Sequence, residues 1–389
     1  MQFAFTEEQQ MIRDTAEQFL AEVSTSEAIR SAMETELGYQ PELWQRICGE
    51  LYWQAIHIPE AYGGMGLGQV ELAAMLEQMG RYLLCSPFFS TVCLGANALM
   101  VAGTEAQKEK YLPRICEGLT ATLAYTGISA ARGGGRWGAD AVEAIAERDG
   151  DEFILNGTLR FVPDGASAEL LIVAARAAGT SGEAGISLFV VPAESPGIER
   201  KLLPTMDQTR KQAEIVLSDL RLPADTLMGA EGDAWPQLQK ILQLATVAQA
   251  AEQMGGAQQS LDLAVEYSKE RAQFGRPIAG FQAIKHKAAD MMTRTEVARS
   301  AVYYAACVAE EAVEGGELAG ELGEAASIAK AYCSDAYFQN AGDALQIHGG
   351  VGFTWEYDVH LHLKRAKASE HFLGSGDYHR ERVAQLLLD

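Results

Sequence analysis

The segment Arg271-Ala-Gln-Phe-Gly-Arg-Pro-Ile-Ala-Gly-Phe-Gln282 lies between two long runs of helical periodicity. Gly275 and Pro277 predict the end of the preceding helix, because glycine suits the position just past a helix and proline cannot continue one. Gly280 precedes Phe281, Gln282 and a new amphipathic run. Into this corner Arg271 brings a fixed cation, Gln273 an amide and Phe274 an apolar plate. A guanidinium fork matches phosphate oxygens, so the set suits the phosphates and polar edge of a large cofactor. The same residues also fit an ordinary helix–helix corner carrying a surface arginine.

Working outward, Ala234–Gln273 reads as one helical pattern. After the corner, Ile284, Ala288, Met291, Thr295, Ala298, Val302 and Ala305 recur at spacings of three and four, the seam of a long packed helix. The acidic, glycine-bearing stretch Glu311–Glu324 reads as a solvated loop, and helices resume through Ala325–Leu345, Val359–Phe372 and Tyr378–Leu388. In Asp358-Val-His-Leu-His362 the two histidines are two residues apart on a helix and point to different faces. They read as surface residues rather than a metal pair.

Toward the N-terminus the texture changes. Leu119–Thr126, Val142–Glu147, Glu152–Asn156, Thr158–Val162, Leu170–Ala174, Ile186–Val191 and Ala213–Leu220 are short runs with alternation or β-branched content. Asp149-Gly150 and Asn156-Gly157 are turn signals between such runs. Gly133-Gly-Gly135, flanked by Arg132 and Arg136, reads as a flexible turn or an anion-binding loop. Before residue 119 the patterns are helical: Thr6-Glu-Glu-Gln9 is a capping box leading into Met11, Ile12, Thr15, Phe19 and Leu20. Pro41–Gly49, Val70–Leu84, Ser90–Val101 and Glu105–Cys116 follow, with the glycine-rich connector Pro59–Gly68 between two of them. The fold class is α+β and multidomain: an all-α domain over 1–118, a β-barrel or sandwich over 119–230 and a helical bundle over 231–389.

At 389 residues the chain is long enough for two or three domains. A formal net charge of −22 argues against nucleic acid or an anionic membrane as the main partner. The six cysteines are scattered, with no C-x-x-C pair and no metal-ligand spacing, as suits buried thiols in a reducing compartment. The first residues carry no basic leader, and no run approaches the ~20 apolar residues of a membrane span. The expectation is a cytoplasmic protein without a metal centre.

The domain order, Arg271-x-Gln-Phe-Gly275, Phe281-Gln282 and Gln346-Ile-His-Gly-Gly-Val-Gly-Phe-Thr354 together resemble the acyl-CoA dehydrogenase family over essentially the whole chain. The resemblance implies a C-terminal four-helix bundle, FAD, an acyl-CoA thioester substrate and a tetramer with flavin sites at subunit interfaces. It implies that Arg271, Gln273 and Phe274 contact a neighbouring subunit's FAD near its pyrophosphate. Gln346, Gly349 and Gly350 would lie along its adenine end, and His348 is a packing residue. Electron-transfer flavoprotein is the family's usual electron acceptor.

The sequence departs from the family where the chemistry should be. The reaction removes an α-proton while the β-hydride goes to flavin, so a carboxylate base must reach the α-proton. Against the family's pattern, Leu373 stands where the common base Glu belongs. Ala245, or its neighbour Thr246, stands at the alternative base position. The family's Thr-Glu-Pro-Gly-Ala-Gly-Ser-Asp loop is replaced by Thr126-Gly-Ile-Ser-Ala-Ala-Arg-Gly133, and its Trp-Ile-Thr by Phe161-Val-Pro163. Pro163 has neither a hydroxyl nor a backbone N–H to offer a flavin.

Three readings follow. The first is the non-basic subunit of a heteromer, resembling the α2β2 enzymes of bacterial steroid side-chain breakdown. Such a chain completes a flavin site whose partner carries the catalytic Glu, with fewer flavins than subunits and a bulky polycyclic acyl-CoA as substrate. The second is a self-sufficient homotetramer with a displaced base, Glu370, Asp377 or Glu252. The third is a non-catalytic homologue that binds and stabilises a related enzyme.

Overall fold

A computed structural model describes residues 6–129 and 137–388. The glycine run 133–135 and its flanking arginines lie outside the described residues. The chain divides into two compact units, one of residues 1–30, 68–84 and 246–389, the other of 31–67 and 85–245.

The first unit is helical. It contains α1 (Glu7–Val23), α4 (Gln69–Arg81), α8 (Gln282–Glu314), α9 (Leu322–His348), α10 (Val359–His371) and α11 (Gly376–Leu388), with most of α7 (Trp235–Glu270). The remaining helices of 6–116 are α2 (Ser26–Glu34), α3 (Pro41–Arg46), α5 (Asn97–Ala102) and α6 (Glu105–Cys116), with π-helical turns over Ile47–Leu51 and Phe89–Ala96. The α1 capping box forms, Thr6 accepting from the Gln9 amide. Helix α9 packs on α8, α10 and α11, and α4 packs on α1 and α8. The seam forms as spaced: Met291, Thr295, Ala298, Val302 and Ala305 are buried, with Ile284 and Ala288 at its margin. Glycines set the closest crossing. A Cβ at Gly80 would collide with the Glu252 carbonyl, and one at Gly255 with the Glu77 carbonyl, so α4 and α7 touch backbone to backbone.

The second unit holds an eight-stranded mixed sheet in the order β6-β7-β3-β2-β4-β5-β8, with β1 beside β4. Its strands are β1 (Ala121–Ala124), β2 (Ile145–Asp149), β3 (Glu152–Pro163), β4 (Leu170–Arg176), β5 (Ile186–Pro192), β6 (Ile198–Leu202), β7 (Gln212–Pro223) and β8 (Leu227–Met228). Leu155, Leu159, Leu171, Val173, Phe189, Ile215 and Leu217 fill its apolar face. The β1–β4 pair is parallel and the β3–β7 and β4–β5 pairs antiparallel.

Several local expectations are corrected. Asp149-Gly150 does open a hairpin, with Gly150 at φ 63 between β2 and β3. Asn156-Gly157 is not a turn: one continuous strand, β3, runs through it with a register shift between Leu155 and Gly157. Gly157 is there because a Cβ would press on Ala144, so the glycine marks a bulge and a close approach. The acidic stretch Glu311–Glu324 is largely helical. Helix α8 runs to Glu314, Gly315 caps it at φ 78, and α9 begins at the buried Leu322. His360 and His362 are buried rather than on the surface, because the first turn of α10 is packed on more than one face. His362 Nδ1 meets the Tyr337 hydroxyl at 3.0 Å, and the His360 ring lies edge-on to Trp355.

Candidate functional site

Helix α7 stops at Glu270, earlier than Gly275 and Pro277 suggest, because the corner folds as its own small hairpin. Strands β9 (Ala272–Gln273) and β10 (Arg276–Pro277) pair antiparallel, with Phe274-Gly275 as the loop. Both loop residues have positive φ, 52 and 79, the requirement of a tight I′ hairpin turn. The Arg271 carbonyl accepts from Ile278 N at 2.8 Å and closes the base of the corner. Phe274 is 92% exposed and meets Phe281 edge-on, while the Arg276 guanidinium sits 4.3 Å from the Phe281 ring centroid. Arg271 is exposed and makes no ion pair among the described residues. The Gln273 amide donates only to its own neighbour's carbonyl, Ala272 O, at 2.8 Å.

The second motif is brought beside the first by an aromatic stack. Tyr267, whose carbonyl accepts from Arg271 N, stacks on His348 with ring centroids 4.2 Å apart. His348 Nδ1 donates to Ala344 O at 2.8 Å, and burial lowers its pKa, so a neutral ring packs on the tyrosine. Tyr357 meets both rings edge-on, and Ile278, Ile284, Leu345 and Ile347 join the same apolar cluster. His348 is therefore a packing residue, and its packing fixes the segment that follows Gln346. Gln346 is exposed on α9, and Gly349 (φ 64) ends that helix. A Cβ at Gly349 or Gly350 would meet nothing within 4 Å. Arg271, without an ion pair among the described residues, the exposed Gln346 and the uncrowded Gly349–Gly350 backbone lie on two segments that the Tyr267–His348 stack brings side by side. That donor set fits the phosphates and a flat end of FAD.

The positions expected to carry a base do not carry one. Leu373, in the connection between α10 and α11, is a buried hydrocarbon held at φ 61. Ala245 is fully buried on α7, and Thr246 beside it is buried as well. The three carboxylates considered as displaced bases are engaged. Glu370 pairs with Lys367 at 2.8 Å, Asp377 with Arg380 at 3.1 Å, and buried Glu252 accepts from the Gln249 amide at 3.4 Å. Asp377 is 98% exposed, the surroundings of a surface acid rather than a catalytic one.

In the sheet unit Thr126 is bound into the strands, its hydroxyl donating to Arg160 O at 2.6 Å. Phe161 and Asp164 both sit at positive φ, 57 and 50, around a register shift between Leu159 and Val162. Pro163 between them is buried, its carbonyl accepting from the Thr122 hydroxyl at 2.7 Å. Asp164 accepts from the buried Ser90 hydroxyl at 2.6 Å. This segment presents little donor capacity to a ligand. Among the described residues no His, Cys, Asp and Glu group could hold a metal ion, and no helix is long and apolar enough to cross a membrane.

Comparison with known proteins agrees along the whole chain. Residues 6–119 match the family model of the acyl-CoA dehydrogenase N-terminal domain, 127–220 that of the middle domain and 232–388 that of the C-terminal domain. The acyl-CoA dehydrogenase IpdE2 of Mycolicibacterium smegmatis is 31% identical over 370 residues, 95% of each chain. Butyryl-CoA dehydrogenase of Megasphaera elsdenii superposes with a TM-score of 0.89 at 30% identity, covering 100% of both chains. A variant of the Tcur3481-Tcur3483 steroid ACAD superposes with a TM-score of 0.83 at 28% identity, covering 98% of both.

Proposed function

Because the chain belongs to the acyl-CoA dehydrogenase family, whose members are FAD-dependent oxidoreductases acting on the CH–CH bond of acyl-CoA, we propose that it works as the base-free subunit of a heteromer. In this reading Arg271, Gln273 and Phe274 reach a flavin held mainly by a partner chain, which also supplies the catalytic Glu. Gln346, Gly349 and Gly350 line that flavin's adenine end. When bound, FAD supplies the acceptor for the β-hydride. Arg271 would hold the pyrophosphate through charge-assisted hydrogen bonds, and the Phe274 plate would exclude water from it.

The observation that carries the reading is the hydrocarbon at position 373. A positioned base contributes roughly 10²–10⁴ in rate, and neither Leu373 nor Ala245 can accept a proton. Glu370, Asp377 and Glu252 are each tied to another group, which speaks against the homotetramer with a displaced base. The unpaired Arg271 corner speaks against a scaffold without cofactor, since such a scaffold needs no phosphate donors. Similarity to the steroid ACAD supports a bulky polycyclic acyl group as substrate.

Flavin absorbance per chain tests the assembly. The chain purified alone is expected to hold little FAD and to leave the α-protons of an acyl-CoA unexchanged. A co-purified heteromer is expected to hold fewer flavins than chains. Full flavin occupancy with turnover in the isolated chain would overturn the proposal.

A further inference from the structure

We propose that Lys330 is a positioning residue for the turn Phe372–Ser375, holding it from the neighbouring helix so that Leu373 keeps its left-handed conformation. Lys330 lies on α9 and is wholly buried. Its Nζ lies 3.0 Å from the carbonyl oxygens of Ser369 and Gly374, 3.1 Å from that of Glu370 and 3.0 Å from Ser334 Oγ, four acceptors that share its three N–H donors. Ser369 and Glu370 belong to the last turn of α10, whose final carbonyls have no intrahelical donor. Gly374 lies beyond the helix end. One amino group thus spans the helix terminus and the turn, bracketing Leu373 on both sides.

The surroundings leave this group dedicated to the turn. The Glu370 carboxylate goes to Lys367, so the lysine's partners are backbone oxygens and a hydroxyl rather than an acid. Gln253, buried on α7, donates to Ser334 Oγ at 3.1 Å and to Ser369 Oγ at 3.2 Å, fixing the acceptors in place. On the far side His379 Nε2 donates to Leu373 O at 3.0 Å, and its Nδ1 accepts from Ser327 Oγ at 3.2 Å.

Left-handed backbone is unfavourable for leucine and persists only where the surroundings impose it. The side chain at 373 offers no hydrogen bond of its own. The turn's shape is imposed from α9 and α11, so it is independent of which side chain occupies the position that the family resemblance gives to the base.

Hydrogen exchange on the full-length, flavin-free chain tests this without reference to any cofactor. The amides of Phe372 and Gly374 donate within the backbone, to Ala368 O and His371 O, and report on the turn. In Lys330→Met, which keeps the bulk and removes the donors, peptides covering 372–375 are expected to lose at least tenfold in protection. Peptides from the middle of α7 and α8 are expected to keep theirs. Lys330→Gln, which restores two donors, is expected to recover part of the loss. Unchanged protection at the turn, or an equal loss throughout α7–α11, would overturn the proposal. If neither variant folds, hydrogen-bond scalar couplings from Lys330 Nζ to the carbonyl carbons of Ser369, Glu370 and Gly374 decide it in the wild-type chain. Their presence supports the role and their absence removes it.

Discussion

Phe274 combines a left-handed backbone with near-complete exposure, and neither favours folding. Left-handed φ costs a non-glycine residue about 1–2 kcal/mol, and an exposed ring gains no burial in return. Phe274→Gly is therefore expected to leave the melting temperature unchanged or raise it, while weakening flavin capture by the proposed heteromer. Paired thermal melts and flavin titrations would separate the two effects. Arg271→Ala removes a group without an ion-pair partner, so stability should change by less than about 0.5 kcal/mol. Flavin affinity of the proposed heteromer should fall roughly tenfold to a hundredfold, the value of a charge-assisted hydrogen bond. A third prediction concerns His57, buried with Nε2 2.9 Å from Asn97 Oδ1 and its pKa lowered to about 4 by burial. Between pH 6.5 and 4 the unfolded chain binds the proton that the folded chain refuses. Stability should fall by on the order of 3 kcal/mol across that window as pH drops, then level off for this group. Urea denaturation at stepped pH, with His57→Gln as the flattened control, measures it. Arg271 and Gln273 could be singled out because their residue types announce phosphate and amide chemistry, and Gln346 only through the motif that carries the family resemblance. Lys330 could not, since its carbonyl partners lie 39 to 44 residues away and a carbonyl has no residue type.

Among the elements, the long helices were legible because their seams repeat over many turns, as in Met291–Ala305. Short or irregular pieces were not. Strand β6 carries Glu199, Arg200 and Lys201, the charges that protect a sheet edge, and so lacks a strand-like apolar pattern. Helix α2 also went unseen, and Asn156-Gly157 looked like a turn although its glycine serves a bulge inside β3. The hairpin at 272–277 was hidden because Phe274 is a poor residue for a positive-φ position. Helix crossing is likewise unreadable without the partner: nothing local says that Gly80 and Gly255 bring two backbones together. Gly255→Ala should destabilise the chain by about 3 kcal/mol or more, since the obstacle is a backbone carbonyl that cannot rotate away. Chemical denaturation of this variant beside Gly342→Ala, where a Cβ meets nothing, isolates the crossing from helix propensity.

At the scale of the whole molecule, sequence order and spatial grouping differ. The order helical, β, helical was plain from the change of period near residue 119 and its return near 234. That residues 1–30 and 68–84 group with 246–389 was not, because periodicity is a local property and packing partners are remote. A fragment of residues 231–389 therefore lacks α1 and α4 and leaves the α4-facing side of α8 bare. Such a fragment should be poorly folded and bind hydrophobic dye, and residues 1–84 added in trans should restore helical signal. Circular dichroism with dye fluorescence checks this.

The Phe274 hairpin also bears on how long the chain survives. An exposed aromatic residue at the tip of a two-residue loop offers a side chain that chymotrypsin-like proteases recognise once the hairpin opens, and Phe353 and Trp355 are also largely exposed. Engagement of the loop by a partner would shield it. Under the proposed heteromer, cellular turnover of this polypeptide would then follow the supply of a partner, with copies that lack one open to digestion at the hairpin.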